Sequence, residues 1–128
     1  MRLFRRTLSA DCLTPPAIFA RMAERGDCFL FESAEGGERW GRYSILGINP
    51  AAVAQFPRSG HARIRYRDGR DETCDLDVLQ WLRAQVVEQP PIDDDLPFTG
   101  GAVGFFGYQL VSRFEDIPDD LPDPVGTP

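Results

Sequence analysis

The apolar residues of this chain fall into short runs, and a turn-forming or charged segment follows each of them. The runs are CFLFES (28–33), SILGI (44–48), AAVAQF (51–56) and ARIRYR (62–67). Runs of this length between turn signals are typical of strands. The first run is continuous and rich in aromatic residues, which predicts a central strand buried on both faces.

The segment ARIRYR (62–67) alternates apolar residues with arginines. The Asp68-Gly69 pair and the segment RDETCD (70–75) come next, so the sequence predicts an antiparallel hairpin. A row of arginines opposite apolar residues is usually the solvent-facing side of a sheet, and we expect that here. An anion-binding site on the arginine row is the alternative.

Two segments carry the signals of helices. Thr14 followed by Pro15 predicts an N-cap and a first helical residue for a helix over 15–25. Asp75 is expected to cap a second helix over 76–89, which Pro90-Pro91 ends. Strands and helices together predict an α+β fold, with a mainly antiparallel sheet and two or three helices.

The segment FTGGAVGFFGYQLVSRFE (98–115) predicts a glycine-rich strand that runs into an apolar turn or short helix. Its glycines do not match the GxGxxG or phosphate-loop spacings, so close packing of the backbone is favoured over contact with a ligand. Pro and Asp dominate the residues after it, as in a linker. We therefore predict a domain over 1–115 and an acidic, Pro-rich linker over 116–128.

Composition excludes several classes of function. The net charge of −6 argues against binding to nucleic acid, which needs clustered positive charge. All 14 basic residues are arginine, so no lysine is available for a Schiff base. His61 is the only histidine and the three cysteines are widely spaced, so we expect no catalytic, cofactor-binding or metal-binding residue. Because no apolar run has the length of a signal peptide or membrane span, we expect no membrane partner and a cytoplasmic location.

One loop has the composition of a small-ligand pocket. In FESAEGGERWGRYS (31–44) a strand ends at Glu32 and Ser33, and a glycine-rich loop returns through aromatic, guanidinium and hydroxyl groups. Pockets for small ligands combine apolar walls with a few converging polar groups, which amino-acid-like ligands require. The alternative is a solvent-exposed loop that Trp40 and Tyr43 anchor to the core.

Two long segments resemble one enzyme family. FLFESAEGGERWGRYSILGINP (29–50) closely resembles the amino-terminal motif of anthranilate synthase component I, and PFTGGAVGFFGYQLVSRFE (97–115) resembles its second amino-terminal signature. The resemblance covers nearly the whole chain and is poorest in the 62–75 hairpin and the acidic tail. It implies an incomplete part of a larger α/β sandwich synthase fold.

The resemblance also implies an activity for the full-length protein. Members of the family convert chorismate and ammonia to anthranilate and pyruvate in tryptophan biosynthesis. A glutamine amidotransferase subunit supplies the ammonia, and Mg²⁺ occupies the chorismate site. Those catalytic and metal-binding residues belong to a carboxy-terminal domain that this chain lacks, so the chain alone is expected to be inactive.

What the resemblance transfers to this chain is the family's feedback site, where L-tryptophan binds as inhibitor. The residues that match it are Glu32, Ser33, Trp40, Gly41, Arg42, Tyr43 and Ser44. Two other interpretations remain open: aminodeoxychorismate synthase component I, which shares the fold, and a free-standing amino-acid-binding or interaction module. A segment of a larger fold should expose apolar surface, whereas a free-standing module should present a closed polar surface.

Overall fold

The computed structural model describes residues 4–32, 43–58, 60–86 and 98–118, together with Pro122 and Pro124. The chain divides into two units: Met1–Ala51 with Val86–Gly101, and Ala52–Gln85 with Ala102–Pro128. In the described part of the chain, each unit contains one antiparallel sheet.

The first unit begins with helix α1, Pro15–Ala23. Thr14 is its N-cap, as predicted: the residue is extended, and its hydroxyl oxygen accepts a hydrogen bond from the Ala17 N–H at 3.4 Å. This bond satisfies one of the N–H groups that a helix start leaves without a partner. The helix ends at Ala23, two residues before the predicted boundary.

Strands β1, Cys28–Phe31, and β2, Ile45–Ile48, form an antiparallel pair, and α1 lies against both. The prediction of a central strand buried on both faces is wrong. Among the described residues β1 has one partner strand, and Phe31 is 53% exposed. A two-stranded sheet with one helix beside it has too few neighbours to bury both faces.

The second unit contains three strands in the order β3, β4, β5: Ala52–Gln55, Ala62–Tyr66 and Asp71–Cys74. The predicted hairpin is confirmed, and its burial alternates along β4. Ala62 and Ile64 are 5% and 3% exposed and are the buried apolar residues of the described chain. A short loop joins β4 to β5, and Gly69 supplies its left-handed residue at φ 89°.

Helix α2 spans Val78–Val86, and its cap is a correction to the sequence prediction. Asp77, not Asp75, accepts the Leu79 N–H on its side chain at 2.9 Å, and its carbonyl accepts the Trp81 N–H. Asp75 instead pairs with Nδ1 of His61 across the sheet. The Trp81 ring of this helix packs against Phe56, the residue that follows β3, with the ring centroids 5.7 Å apart.

Residues 98–107 form no strand, which corrects the prediction of a glycine-rich strand. Gly100 and Gly101 have φ of 147° and 142°, outside the conformations that side-chain-bearing strand residues adopt. The predicted short helix is present as a 3₁₀ helix, Tyr108–Arg113. Two α-helices and two antiparallel sheets confirm the α+β class. No helix in the described ranges has the length and apolar character needed to cross a lipid bilayer.

Candidate functional site

The β1–β2 pair brings the two ends of the predicted loop together. Phe31 is paired with Ile45, so the chain leaves β1 at Glu32 beside the point where Ser44 leads into β2. Glu32, Tyr43 and Ser44 are all solvent-exposed at this end of the pair. The other predicted site residues lie outside the described residues: Ser33, Trp40, Gly41 and Arg42.

An aromatic face leads up to this end of the strand pair. Phe29 and Phe31 point to the same side of β1, and their ring centroids are 5.2 Å apart. Phe98, from the other segment of the same unit, meets Phe29 edge to face at 6.5 Å. This cluster was not predicted from the sequence, although the two-residue spacing within FLF signalled the first pair. Phe98 carried no such signal, because nearly seventy residues separate it from β1.

Gly47 completes this face on β2. It is the cross-strand partner of Phe29, and a Cβ built at position 47 would overlap three carbon atoms of the Phe29 ring. The ring therefore lies across β2 where a side chain would otherwise stand. A glycine in the middle of the apolar run SILGI was the available signal, since strand interiors disfavour glycine unless another group approaches closely.

The aromatic rings lie on one face of the strand pair, and Glu32 and Ser44 come directly after Phe31 and directly before Ile45, where alternation of side chains directs them toward the opposite face. The rings of Phe29, Phe31 and Phe98 offer area for burying an aromatic or aliphatic group. The carboxylate of Glu32 accepts hydrogen bonds and attracts cations, and the hydroxyl of Ser44 both donates and accepts. Glu32 and Ser44 are therefore the groups at this end of the strand pair that could bind a polar or positively charged group of a ligand.

Comparison with curated proteins finds relatives over almost the whole chain. Anthranilate synthase component 1 of Acinetobacter calcoaceticus is 40% identical over 93% of this chain. The proteins of the same name from Acetivibrio thermocellus and Aquifex aeolicus are 38% and 37% identical, over 93% and 94% of it. Over this length, the chain belongs to the anthranilate synthase component 1 family. It spans only 24% to 25% of the length of these relatives.

No protein-family profile matches the chain, and no solved structure does. Its assignment to anthranilate synthase component 1 therefore depends on similarity to individual sequences.

A second polar cluster lies at the β4–β5 turn. Nε of Arg70 donates to Asp68 at 2.8 Å, and the Tyr66 hydroxyl donates to Glu72 at 3.1 Å. The hydrogen bond from Arg70 lowers the pKa of Asp68, and the bond to Glu72 raises the pKa of Tyr66. These groups satisfy one another at the surface, so the cluster is best explained as support for the turn.

The arginine row of β4 faces solvent, as predicted. Arg63 and Arg65 are exposed, and their cross-strand neighbours on β5 are Thr73 and Asp71. Asp71 offsets part of the positive charge on this face, and Thr73 adds a neutral polar group, which favours a solvated sheet surface over an anion site.

The described residues contain no group of three or more His, Cys, Asp or Glu side chains that could hold a metal ion. The three cysteines are free thiols.

Proposed function

We propose that this chain is the amino-terminal, tryptophan-binding regulatory portion of anthranilate synthase component 1. The observation that carries the proposal is the similarity of 37% to 40% over at least 93% of the chain to proteins of that name. The relatives' names favour this assignment over aminodeoxychorismate synthase component I. The exposed apolar side chains of segment 98–117 favour part of a larger fold over a self-contained module.

The ligand site comprises Glu32, Ser33, Trp40, Gly41, Arg42, Tyr43 and Ser44. The juxtaposition of Glu32 and Ser44 supports it, because both ends of the loop meet at one end of the strand pair. In this proposal the carboxylate of Glu32 attracts the ammonium group of tryptophan, and the hydroxyl of Ser33 binds its polar end. The indole packs against aromatic rings of the loop.

Inhibition requires that tryptophan bind two states of the complete enzyme with different affinity. We propose that the remaining part of the polypeptide completes the pocket in the inactive state. Bound tryptophan then favours that state by its additional contacts. The expected change in affinity between states is about 5- to 150-fold, the usual range of such coupling.

The proposal extends to the whole protein. The complete enzyme converts chorismate and ammonia to anthranilate and pyruvate, with ammonia from a glutamine amidotransferase partner and with Mg²⁺ bound by residues outside this chain. This chain by itself forms no anthranilate. A cytoplasmic location follows from the proposed role in amino-acid biosynthesis.

Replacing Ser33 with phenylalanine tests the ligand site. In the complete enzyme that contains this chain, the phenylalanine ring fills the pocket. The substitution also removes the serine hydroxyl, which is a hydrogen-bond partner of the ligand in this proposal. We expect the tryptophan concentration for half-maximal inhibition of anthranilate formation to rise by roughly tenfold or more. The measurement is the initial rate of anthranilate formation at increasing tryptophan concentration.

Ser9→Phe is the matched control. Ser9 is exposed in the segment before α1, and its hydroxyl donates a hydrogen bond to the carboxylate of Asp11, two residues away. That variant should be inhibited like the wild type. Equal inhibition of Ser33→Phe and the control by tryptophan would contradict the assignment of Ser33 to the ligand site. An absence of anthranilate formation by the complete wild-type protein with its partner would contradict the function.

A further inference from the structure

Asp68-Gly69 is the only place in the chain where a glycine follows an aspartate or an asparagine. At such a pair the backbone nitrogen of the glycine can attack Cγ of the preceding side chain, because the glycine has no side chain to hinder the approach. The new N–C bond closes a succinimide ring, and one water molecule leaves. Water then opens the ring, and opening at the former backbone carbonyl gives isoaspartate, in which the main chain runs through the side-chain carbon.

The β4–β5 turn restrains the nitrogen that would attack. The Gly69 N–H donates to the Tyr66 carbonyl at 3.0 Å, and the Tyr66 N–H donates to the Arg70 carbonyl at 2.8 Å. To react, the Gly69 nitrogen has to lose its proton and turn toward Cγ of Asp68. It therefore has to leave the Tyr66 carbonyl, which opens the turn.

Arg70 restrains the group that would be attacked. Its backbone N–H donates to Oδ1 of Asp68 at 3.1 Å, and its Nε donates to Oδ2 at 2.8 Å. The guanidinium is itself held in place, 4.5 Å from the centroid of the Tyr66 ring and 3.4 Å from a carboxylate oxygen of Glu72. Both oxygens of the Asp68 carboxylate are therefore bonded to residue 70.

The same contact keeps the carboxyl group in its less reactive form. Succinimide closure expels water from the neutral acid, whereas a carboxylate ion has no comparable leaving group. The hydrogen bond from the Arg70 side chain lowers the pKa of Asp68, so a smaller fraction of the group is neutral near pH 7.

We propose that Asp68 is a latent site of isoaspartate formation, and that Arg70 suppresses the reaction by holding the Asp68 carboxylate with both its side chain and its backbone N–H. Isoaspartate adds one carbon atom to the backbone of a turn that two hydrogen bonds close. The modification therefore weakens the neighbouring cross-strand pair, Arg65 with Asp71, at the end of the hairpin.

The test follows isoaspartate at position 68 while the complete protein that contains this chain is kept at physiological temperature and neutral pH. An endoproteinase that cuts before aspartate but not before isoaspartate gives the modified fraction, because the reaction leaves the mass unchanged. We expect Arg70→Ala to react about threefold faster than the wild type, the effect of losing an exposed ion pair. Arg63→Ala, which removes another exposed arginine of the same hairpin, is the matched control and should react like the wild type.

A second comparison needs no variant. The folded wild type should form isoaspartate at position 68 at least about tenfold more slowly than the wild type unfolded in urea, because the hydrogen bonds of the turn have to break first. In urea the wild type and Arg70→Ala should react at the same rate, since the unfolded chain does not hold residue 70 against Asp68. This comparison also tests the turn if Arg70→Ala fails to fold.

Three results would overturn the proposal. An absence of isoaspartate at position 68 even in urea would remove the site. A folded wild type that reacts as fast as the unfolded one would show that the turn gives no protection. Equal rates for folded Arg70→Ala and Arg63→Ala, or a difference between Arg70→Ala and the wild type that persists in urea, would exclude the folded contact of Arg70 as the cause.

Discussion

Single side chains determine where the helices of this chain begin. Thr14 and Asp77 both accept a backbone N–H near the start of a helix, at 3.4 Å and 2.9 Å. Caps of this kind stabilise a helix because the first N–H groups have no partner within it. Asp75 was an equally good candidate by residue type, but its carboxylate pairs with His61 instead.

Asp77→Ala should lower the free energy of unfolding by about 1 kcal/mol, because the Leu79 N–H loses its side-chain acceptor. Urea denaturation of the chain, followed by far-ultraviolet circular dichroism, measures the change. Asp75→Ala is the control and should change stability by less than about 0.5 kcal/mol, since it removes only an exposed surface pair. Equal losses in the two variants would argue against Asp77 as the cap.

At the scale of elements, the β3–β4–β5 sheet is the part of the described molecule with a buried core. The alternation along β4 places Ala62 and Ile64 on the buried side and Arg63 and Arg65 on the exposed side. Period-two alternation produces this division because successive side chains of a strand point to opposite faces. A shift of one residue in register would exchange the two sets, so the pattern also specifies the pairing.

Ile64→Ala should destabilise the chain by about 2 kcal/mol, the lower end of the range for such core truncations, because neighbours in a small core can partly close the cavity. Arg63→Ala, on the exposed side of the same strand, should change stability by no more than about 0.5 kcal/mol. Urea midpoints of both variants against the wild type give the comparison. A smaller effect for Ile64 than for Arg63 would reverse the proposed facing of β4.

At the scale of the molecule, much aromatic surface of the described residues faces solvent. Within the second unit, Phe105 is 72% exposed and Tyr108 is 84% exposed, and Phe106 and Phe114 are also exposed. Exposed apolar side chains this close together are unusual for a self-contained protein. They match the sequence prediction that a segment of a larger fold leaves apolar surface uncovered.

The isolated chain should therefore bind an environment-sensitive dye such as ANS under native conditions. Replacing both Phe105 and Phe106 with serine should lower the dye emission by roughly half, because it removes two of the exposed rings. Leu8→Ser removes an exposed apolar side chain elsewhere in the sequence and should change the emission little. Emission that is the same for all three proteins would contradict the expectation.

The sequence by itself determined the elements that depend on close neighbours in the chain. The start of α1, the β4–β5 hairpin and its glycine turn, and the α+β class follow from residues at most a few positions apart, and all are confirmed. Family membership was likewise readable from two motifs. Of the ligand site, the sequence named the residues at the two ends of the loop, and the strand pairing then placed Glu32 and Ser44 beside each other.

Only the tertiary structure decided the features that join distant residues. The aromatic face needs Phe98 beside Phe29, and the space that the Phe29 ring occupies depends on its register with Gly47. The choice of Asp77 over Asp75 depends on a partner across the sheet, and β1 is less buried than its apolar composition predicted. Local propensity cannot decide such cases, because burial and pairing depend on which distant groups the folded chain places alongside.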